Sequence, residues 1–558
     1  MTLTATATAT VAPPLLGQGV WTSRAGVLFP DLVPRELRRS WVARGLCPDA
    51  DLYSLFTARV AEHPGREALV DAGGVLTYAE LDAEVRRTAA EFERAGLAAG
   101  DVIALRLPNG RDAVAAELAV YALGAVALPL PPGDDRDLRA LLARSRARGV
   151  VLRTAREADP VADLPHLRTV YVPEPGPRSP APYDTRQPPR RPVDPYGPAR
   201  ILVSSGSEAE PKMVAYSHHA MAGGRARYVR ALHQDPDRAG SPPRHLVLVP
   251  LASSFGSLGT PVTLAVLGGT LITQPAFDAE DALRLIAAHR PTHLFAVPTM
   301  LRRITDLPHG DGEDTSSLRT VVSSGAALPE AVARACQERF DRPVVTVYGS
   351  SDGVNCHTAG EIRPTGTSVG TPDPTVARIR LTGPEGQIEA RGPMTPMCYV
   401  NAPELDARYR THDGGWVRTG DFGRLDEHGR LHVLGRLKRI VVRGGLNISL
   451  AEVENELATH PAVAEAACVP VPDPDLGERL CACLRPAPGA RTPTLPELNA
   501  HLLGRGLSRR KLPELLLVVE EMPLGPTGKI CHRSLTEAAM AMAAASAGGH
   551  AQESGGRA

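Results

Sequence analysis

Lys529 lies in Pro523-Leu524-Gly525-Pro526-Thr527-Gly528-Lys529-Ile530, a turn punctuated by glycine and proline, and Lys212 ends Ser204-Ser205-Gly206-Ser207-Glu208-Ala209-Glu210-Pro211-Lys212. A lysine on a turn is ordinarily a solvated surface charge. The hydroxyls and backbone N–H groups of the second segment can cradle phosphate oxygens, with its lysine as a point charge. The spacing is not the GxxxxGK[ST] of a Walker loop, and a plain Ser/Gly-rich surface loop is the bland alternative.

Three further segments give those lysines a partner. The small residues of Ser323-Ser324-Gly325-Ala326-Ala327-Leu328 would let a flat ring approach the backbone. Tyr348-Gly349-Ser350-Ser351-Asp352 offers an aromatic face and a carboxylate, and Arg418-Thr419-Gly420-Asp421 places an acid where two ribose hydroxyls could bind. Each alone is an ordinary turn. Together they have the residue types of an adenine slot, a Mg²⁺ ligand and a ribose clamp, which is one ATP site.

Strand ends must position these groups. Ile201-Leu202-Val203 runs into the hydroxyl loop, Asp101 to Leu107 reads as a strand, Arg111 to Leu123 as a helix and Ala125 to Leu130 as the next strand. The alternation recurs at His245 to Pro250, Leu318 to Ser323 and Val344 to Val347. This predicts an α/β fold with buried, mostly parallel strands. Prolines crowd the chain from Asp159 to Arg200 and argue against helix or central strand there. After Asp421, Gly429 to Arg436 and Arg439 to Gly445 read as two strands joined by a tight turn, and a helix starts near Ser449 with Glu452 completing a capping box. A small α+β domain is expected from about Leu437.

With 558 residues the chain exceeds what one core serves, so two or more domains are expected. Lys+Arg and Asp+Glu both number 62, so no global field would hold nucleic acid or an anionic membrane. The partner expected is a small molecule. The eight cysteines have no metal-ligand spacing and suit a reduced, cytoplasmic protein. Met1 to Thr6 lacks the basic flank and apolar core of a signal peptide, and no run reaches eighteen apolar residues. Low-complexity ends predict disordered tails.

These segments and their order resemble the adenylate-forming superfamily that unites acyl-CoA synthetases, peptide-synthetase adenylation domains and luciferases. The likeness runs from Leu76-Thr77-Tyr78-Ala79-Glu80-Leu81 through the loops above to Gly435-Arg436-Leu437-Lys438 and Gly528-Lys529. It implies a large N-terminal domain of α/β subdomains at 21–437 and a small mobile α+β domain at 438–541, flanked by tails at 1–20 and 542–558. By resemblance, Ser204, Ser205, Gly206, Ser207 and Lys212 would hold the β/γ-phosphates. Gly325, Ala326 and Tyr348 would hold the adenine, with Ala327, Gly349 and Ser351 also at the nucleotide, Asp352 would hold the Mg²⁺ and Asp421 the ribose, and Arg436 would touch the ribose or phosphate. Lys438 would be the hinge, and Lys529 would bridge the acid and the α-phosphate. Turning of the small domain would exchange Lys529 for the Gly444-Gly445 loop.

The chain departs from that pattern in places. Glu208-Ala209 stands where the family has Thr-Gly, Met213 where it has Gly, and Asp352 where Glu is common. A carboxylate in a phosphate cradle repels pyrophosphate unless it faces solvent or metal. Leu251-Ala252-Ser253-Ser254-Phe255-Gly256-Ser257 lacks the aspartate of amino-acid-activating relatives. Val33-Pro34-Arg35-Glu36-Leu37 and the stretch from Tyr348 to Asn355 look similar to stand-alone aryl-acid ligases, although Ser254 replaces their asparagine. A substrate pocket of Ser253, Ser254, Phe255, Ser257, Ser324 and Asn355 is expected, with an aryl or related unsaturated acid in it. No carrier domain is expected after Lys529, so CoA, a separate carrier protein or a small nucleophile would accept the acyl group. Activation of nitrite to diazotise an aryl amine, and a non-catalytic nucleotide-binding relative, are the alternatives.

Overall fold

Short apolar runs become central strands where helices cover both faces. In the computed structural model, Val102–Arg106, Val126–Pro129 and Gly149–Leu152 pair in parallel and are almost wholly buried, as strands covered on both sides must be. The structure describes residues 19–130, 135–173, 193–204, 211–232, 241–310, 313–342, 344–351, 353, 355–357, 368–384, 386–411, 413–436, 439–443, 446–473, 476–525 and 529–553. Those three strands sit in a seven-stranded sheet ordered Cys398–Tyr399, Lys212–Ser217, Pro198–Ser204, Val126–Pro129, Val102–Arg106, Gly149–Leu152, Thr169–Tyr171.

An eight-stranded sheet is ordered Asn355–His357, Val344–Gly349, Thr320–Ser324, His293–Ala296, Arg244–Val247, Thr270–Thr273, Glu67–Asp71, Gly74–Thr77. Its inner strands are parallel and both edge strands antiparallel. One core joins the two large sheets, with Tyr78, Phe92, Tyr121, Tyr216 and Phe295 fully buried in it. A four-stranded antiparallel sheet, Arg378–Thr382, Gln387–Arg391, Val417–Leu425 and Leu431–Arg436, follows.

The C-terminal part has its own five-stranded sheet, Leu446–Ser449, Ile440–Arg443, Gly477–Pro486 and Val463–Asp473, with Leu515–Val518 paired to Gly477–Pro486. Separate apolar clusters around Val441 and Leu498, and around Val469 and Leu535, support it. No helix of the described residues is long and apolar enough to cross a membrane.

Four expectations are corrected. The segments 431–436 and 440–443 do not form a hairpin: the first pairs with Val417–Leu425, the second with Leu446–Ser449. Their local patterns are alike, and only tertiary packing sends them to different sheets. The strand Pro198–Ser204 lies inside the seven-stranded sheet; its proline takes the first position, where a missing N–H is tolerated. Ser449 caps the helix Leu450–Leu457 by accepting from Glu452 N at 3.4 Å, but the Glu452 carboxylate binds Lys511 Nζ at 2.7 Å, so only half of the box forms. At the ends, Val20 already belongs to the strand Val20–Thr22, and the last helix spans His532–Glu553. Met542 and Ala543 pack on the small-domain core where composition predicted a tail, and alanine-rich sequence favours helix.

Candidate active site

Ser204 and Lys212 are direct partners across an antiparallel strand pair, so both stand at the same end of that pair. Ser205, Gly206, Ser207, Glu208 and Ala209 lie outside the described residues. Lys212 Nζ stands 3.7 Å from the ring centroid of Tyr409 and 5.8 Å from that of Tyr399, within the range of cation–π attraction. Tyr409 also faces the ribose-clamp segment: a Cβ on Gly420 would lie 4.0 Å from its ring. Met213 is 1 % exposed and packs with Met397 and Cys398. Side chains alternate along a strand, so Met213 points to the face opposite Lys212 and does not crowd it.

The residues expected to form an adenine slot stand at adjacent strand ends. Ser324 pairs with Val347 across parallel strands, and its hydroxyl donates to the Val347 carbonyl at 2.7 Å. Ser324 is buried, and its hydroxyl ties the two strands together. Beyond it Gly325, Ala326 and Ala327 are exposed, and Gly325 has φ +94°, a left-handed value that glycine adopts without strain. Gly349 is paired with Asn355, and Tyr216 donates its hydroxyl to the Ser351 carbonyl at 2.6 Å. Asp352, the side chain of Asn355, and Lys438 lie outside the described residues.

Asp421 is 2 % exposed and joins two of the expected nucleotide groups. Tyr348 donates its hydroxyl to one carboxylate oxygen at 2.6 Å, and Arg436 Nε donates to the other at 3.0 Å. Burial, then the adjacent Asp421 charge, holds the Tyr348 phenol well above its ordinary range. The phenol therefore stays a donor.

The segment from Ser253 to Ser257 is a tight turn. A Cβ on Gly256 would meet the Pro250 carbonyl oxygen at 2.1 Å, so only glycine fits. Ser253 Oγ accepts from Gly256 N at 3.0 Å, and Ser257 Oγ donates to the Ser254 carbonyl at 2.6 Å while accepting from Arg225 Nη1. Both hydroxyls are thus engaged, and Ser257 is fully buried. Phe255 packs on Phe295 with centroids 6.0 Å apart. Of the expected pocket residues, Ser254 and Phe255 are half-exposed without such a hydroxyl cap.

Lys529 reaches this site from the small domain. A Cβ on Gly325 would lie 2.8 Å from Lys529 Cε and 3.2 Å from Nζ. The residue as a whole is exposed, yet its ammonium end is crowded by the Gly325 turn. That crowding, then the Arg436 charge, lowers its pKa to about 8. An ion pair holds this pose: Arg302 Nη2 meets Glu465 of the small domain at 2.8 Å, and Glu465 also binds Arg485 at 2.7 Å. Sequence reading missed Tyr409, Tyr399, Arg302 and Glu465, whose significance is a long-range contact with no local signature. Lys212, Arg436 and Lys529, with an acid and an aromatic ring, suit a bound polyanion with hydroxyls and a flat ring.

Comparison with known proteins agrees. Residues 56–400 match the family described as AMP-binding enzyme, and 452–529 match the AMP-binding enzyme C-terminal domain. The chain is 30 % identical over 501 residues to a sulfoacetate–CoA ligase of Cupriavidus necator, spanning 86 % of this chain and 96 % of that enzyme. It is 30 % identical over 545 residues to a salicyl-AMP ligase/salicyl-S-ArCP synthetase of Mycobacterium tuberculosis, spanning 90 % and 93 %. The amide bond synthetase McbA of Marinactinospora thermotolerans superposes with a TM-score of 0.76 at 30 % identity, over 87 % of this chain and 99 % of that one.

Proposed function

The chain belongs to the AMP-binding enzyme family and is an ATP-dependent adenylate-forming ligase, and from that footing we propose that it adenylates an aryl or related unsaturated carboxylic acid and passes the acyl group to an external CoA, carrier protein or amine. The observation that carries this reading is the meeting of Lys529 with Gly325. It brings a cation from one domain to the nucleotide side of the other.

In this account an acid oxygen attacks the α-phosphorus of ATP, pyrophosphate leaves, and acyl-AMP remains. An acceptor thiol or amine then attacks the carbonyl and displaces AMP. Two anions must meet in the first step, so cations placed in advance lower its barrier, each worth a few kcal/mol. Lys529 bridges the carboxylate and the α-phosphate. Lys212, with Ser204 to Ser207, holds the departing phosphates, and Tyr409 fixes the direction of its ammonium. Asp421, oriented by Tyr348 and Arg436, accepts from the ribose hydroxyls, and the exposed Gly325 to Ala327 edge lies along the adenine. Asp352 would offer the hard oxygen that suits Mg²⁺, and the ion would neutralise charge on pyrophosphate.

The aryl acid is favoured by the absence of an ammonium-binding carboxylate from Leu251 to Ser257 and by the salicyl-AMP ligase among the relatives. We assign the domain boundary to 437/438, supported by the change of sheet between Arg436 and Ile440. The test is pyrophosphate release with aryl, cinnamic and aliphatic acids, with CoA, carrier protein and amines then added in turn. Pyrophosphate release confined to aliphatic acids contradicts the substrate class.

A further inference from the structure

Among the described residues, most buried arginines carry a counter-charge with them. Arg38 binds both oxygens of Asp31 at 2.8 Å, Arg339 binds both oxygens of Glu313 at 2.8 and 2.7 Å, and Arg200 pairs with Glu117. Arg410 lies close enough to Asp406 to act on its titration. Arg225 differs. It is 3 % exposed, and no ion pair among the described residues includes it. Its guanidinium donates one N–H to the Ser257 hydroxyl and lies 5.2 Å over the ring of Tyr216, while its buried Nε has no hydrogen-bond partner.

The surroundings put this cation behind the turn expected to border the acid. Arg225 belongs to the helix His218–Ala231, two residues after a break at Gly223. Ser257 ends the turn that borders the expected pocket, and Tyr216 holds the Ser351 carbonyl of the turn opposite. The helix itself packs against Asn355–His357. A charge removed from water without a partner is strongly unfavourable. A guanidinium with one face on a ring and one N–H anchored presents its remaining edge in a fixed direction, the geometry that recognises a carboxylate or sulfonate.

We propose that Arg225 is the specificity residue for a second anionic group on the small-molecule acid, a carboxylate or sulfonate remote from the carboxylate that is adenylated. The proposal rests on the adenylation reading above and narrows its substrate to dianionic acids. Such a site discriminates steeply, because an acid lacking the second group leaves the arginine buried and unpaired.

The test uses the full chain with ATP and pairs of acids matched in skeleton: terephthalate against 4-methylbenzoate, 4-sulfobenzoate against benzoate, and 4-carboxycinnamate against cinnamate. For wild type, kcat/KM for pyrophosphate release is expected to favour the dianionic member of at least one pair by thirtyfold or more, mainly through KM. In Arg225→Met the ratio falls to near one, in Arg225→Lys it is partly restored, and in Ser257→Ala it falls by a smaller factor. Because Arg225 is buried, the melting temperature of each variant is recorded, and an unfolded Arg225→Met leaves Arg225→Lys and Ser257→Ala to decide by their ratios. Equal use of both members of every pair by wild type, or an unchanged ratio in Arg225→Lys and Ser257→Ala, overturns the proposal alone. Failure of every acid to release pyrophosphate overturns the adenylation reading and this proposal with it.

Discussion

Gly325 and Lys529 meet across the domain boundary: a single methyl group at position 325 would stand 2.8 Å from Lys529 Cε. Gly325 is also left-handed, with φ +94°, so a substitution there strains the backbone and displaces the lysine together. The backbone cost alone is roughly 1–2 kcal/mol, about a tenfold effect if it falls on the transition state. Gly325→Ala is expected to lower AMP formation about tenfold or more, with the fold intact by circular dichroism. Wild-type turnover in that variant would separate Gly325 from the reaction.

The charge on Lys529 sets a pH limit. With its pKa lowered to about 8, the side chain is a cation below that pH and loses its proton as pH rises through it. The adenylation kcat/KM, which reports the free enzyme, is expected to fall above about pH 8. ATP stabilises the cation, so the same limb in kcat lies at higher pH. Lys529→Arg keeps its charge throughout and should show no such limb, whatever its absolute rate.

Tyr409 is expected to act through Lys212, whose ammonium lies 3.7 Å from its ring centroid. A cation–π contact of this kind is worth about 0.5–2 kcal/mol. Tyr409→Leu should raise the KM for ATP by roughly 2- to 30-fold, while Tyr409→Phe, which retains the ring, should stay within about twofold of wild type. Equal effects of the two substitutions would show that the ring face is not what matters.

Arg302 and Glu465, 2.8 Å apart, fasten the small domain in the pose that delivers Lys529. Glu465 keeps Arg485 when Arg302 is removed, so the loss is modest, about 1 kcal/mol. Arg302→Ala is expected to slow acyl-AMP formation by about 3- to 10-fold and to leave acyl transfer from preformed acyl-AMP no slower. Slowing of both steps alike would point to general loss of structure.

The legible parts were those with a local cause. Buried parallel strands show as short apolar runs between turns, and Tyr348 and Asp421 declare an aromatic ring and an acid at strand ends. What the structure added is contact over long sequence separations: Tyr409 on Lys212, Glu465 on Arg302, Ser257 on Arg225. Local signals also misled where two outcomes share one pattern. Ser449 and Glu452 spell a capping box, but Lys511 attracts the carboxylate, and the strands on either side of residues 437 and 438 look like a hairpin while serving two sheets. Arg225 had no distinct signature, since Arg227 stands in the same run from Ala220 to Val229.

The central claim is that Lys529 supplies the charge that lets a carboxylate attack ATP. ATP–pyrophosphate exchange measures that half-reaction without any acceptor. With an acid that wild type adenylates, Lys529→Ala is expected to lose exchange by at least about a hundredfold while keeping its melting temperature and its binding of ATP. Exchange at the wild-type rate in folded Lys529→Ala would contradict the account.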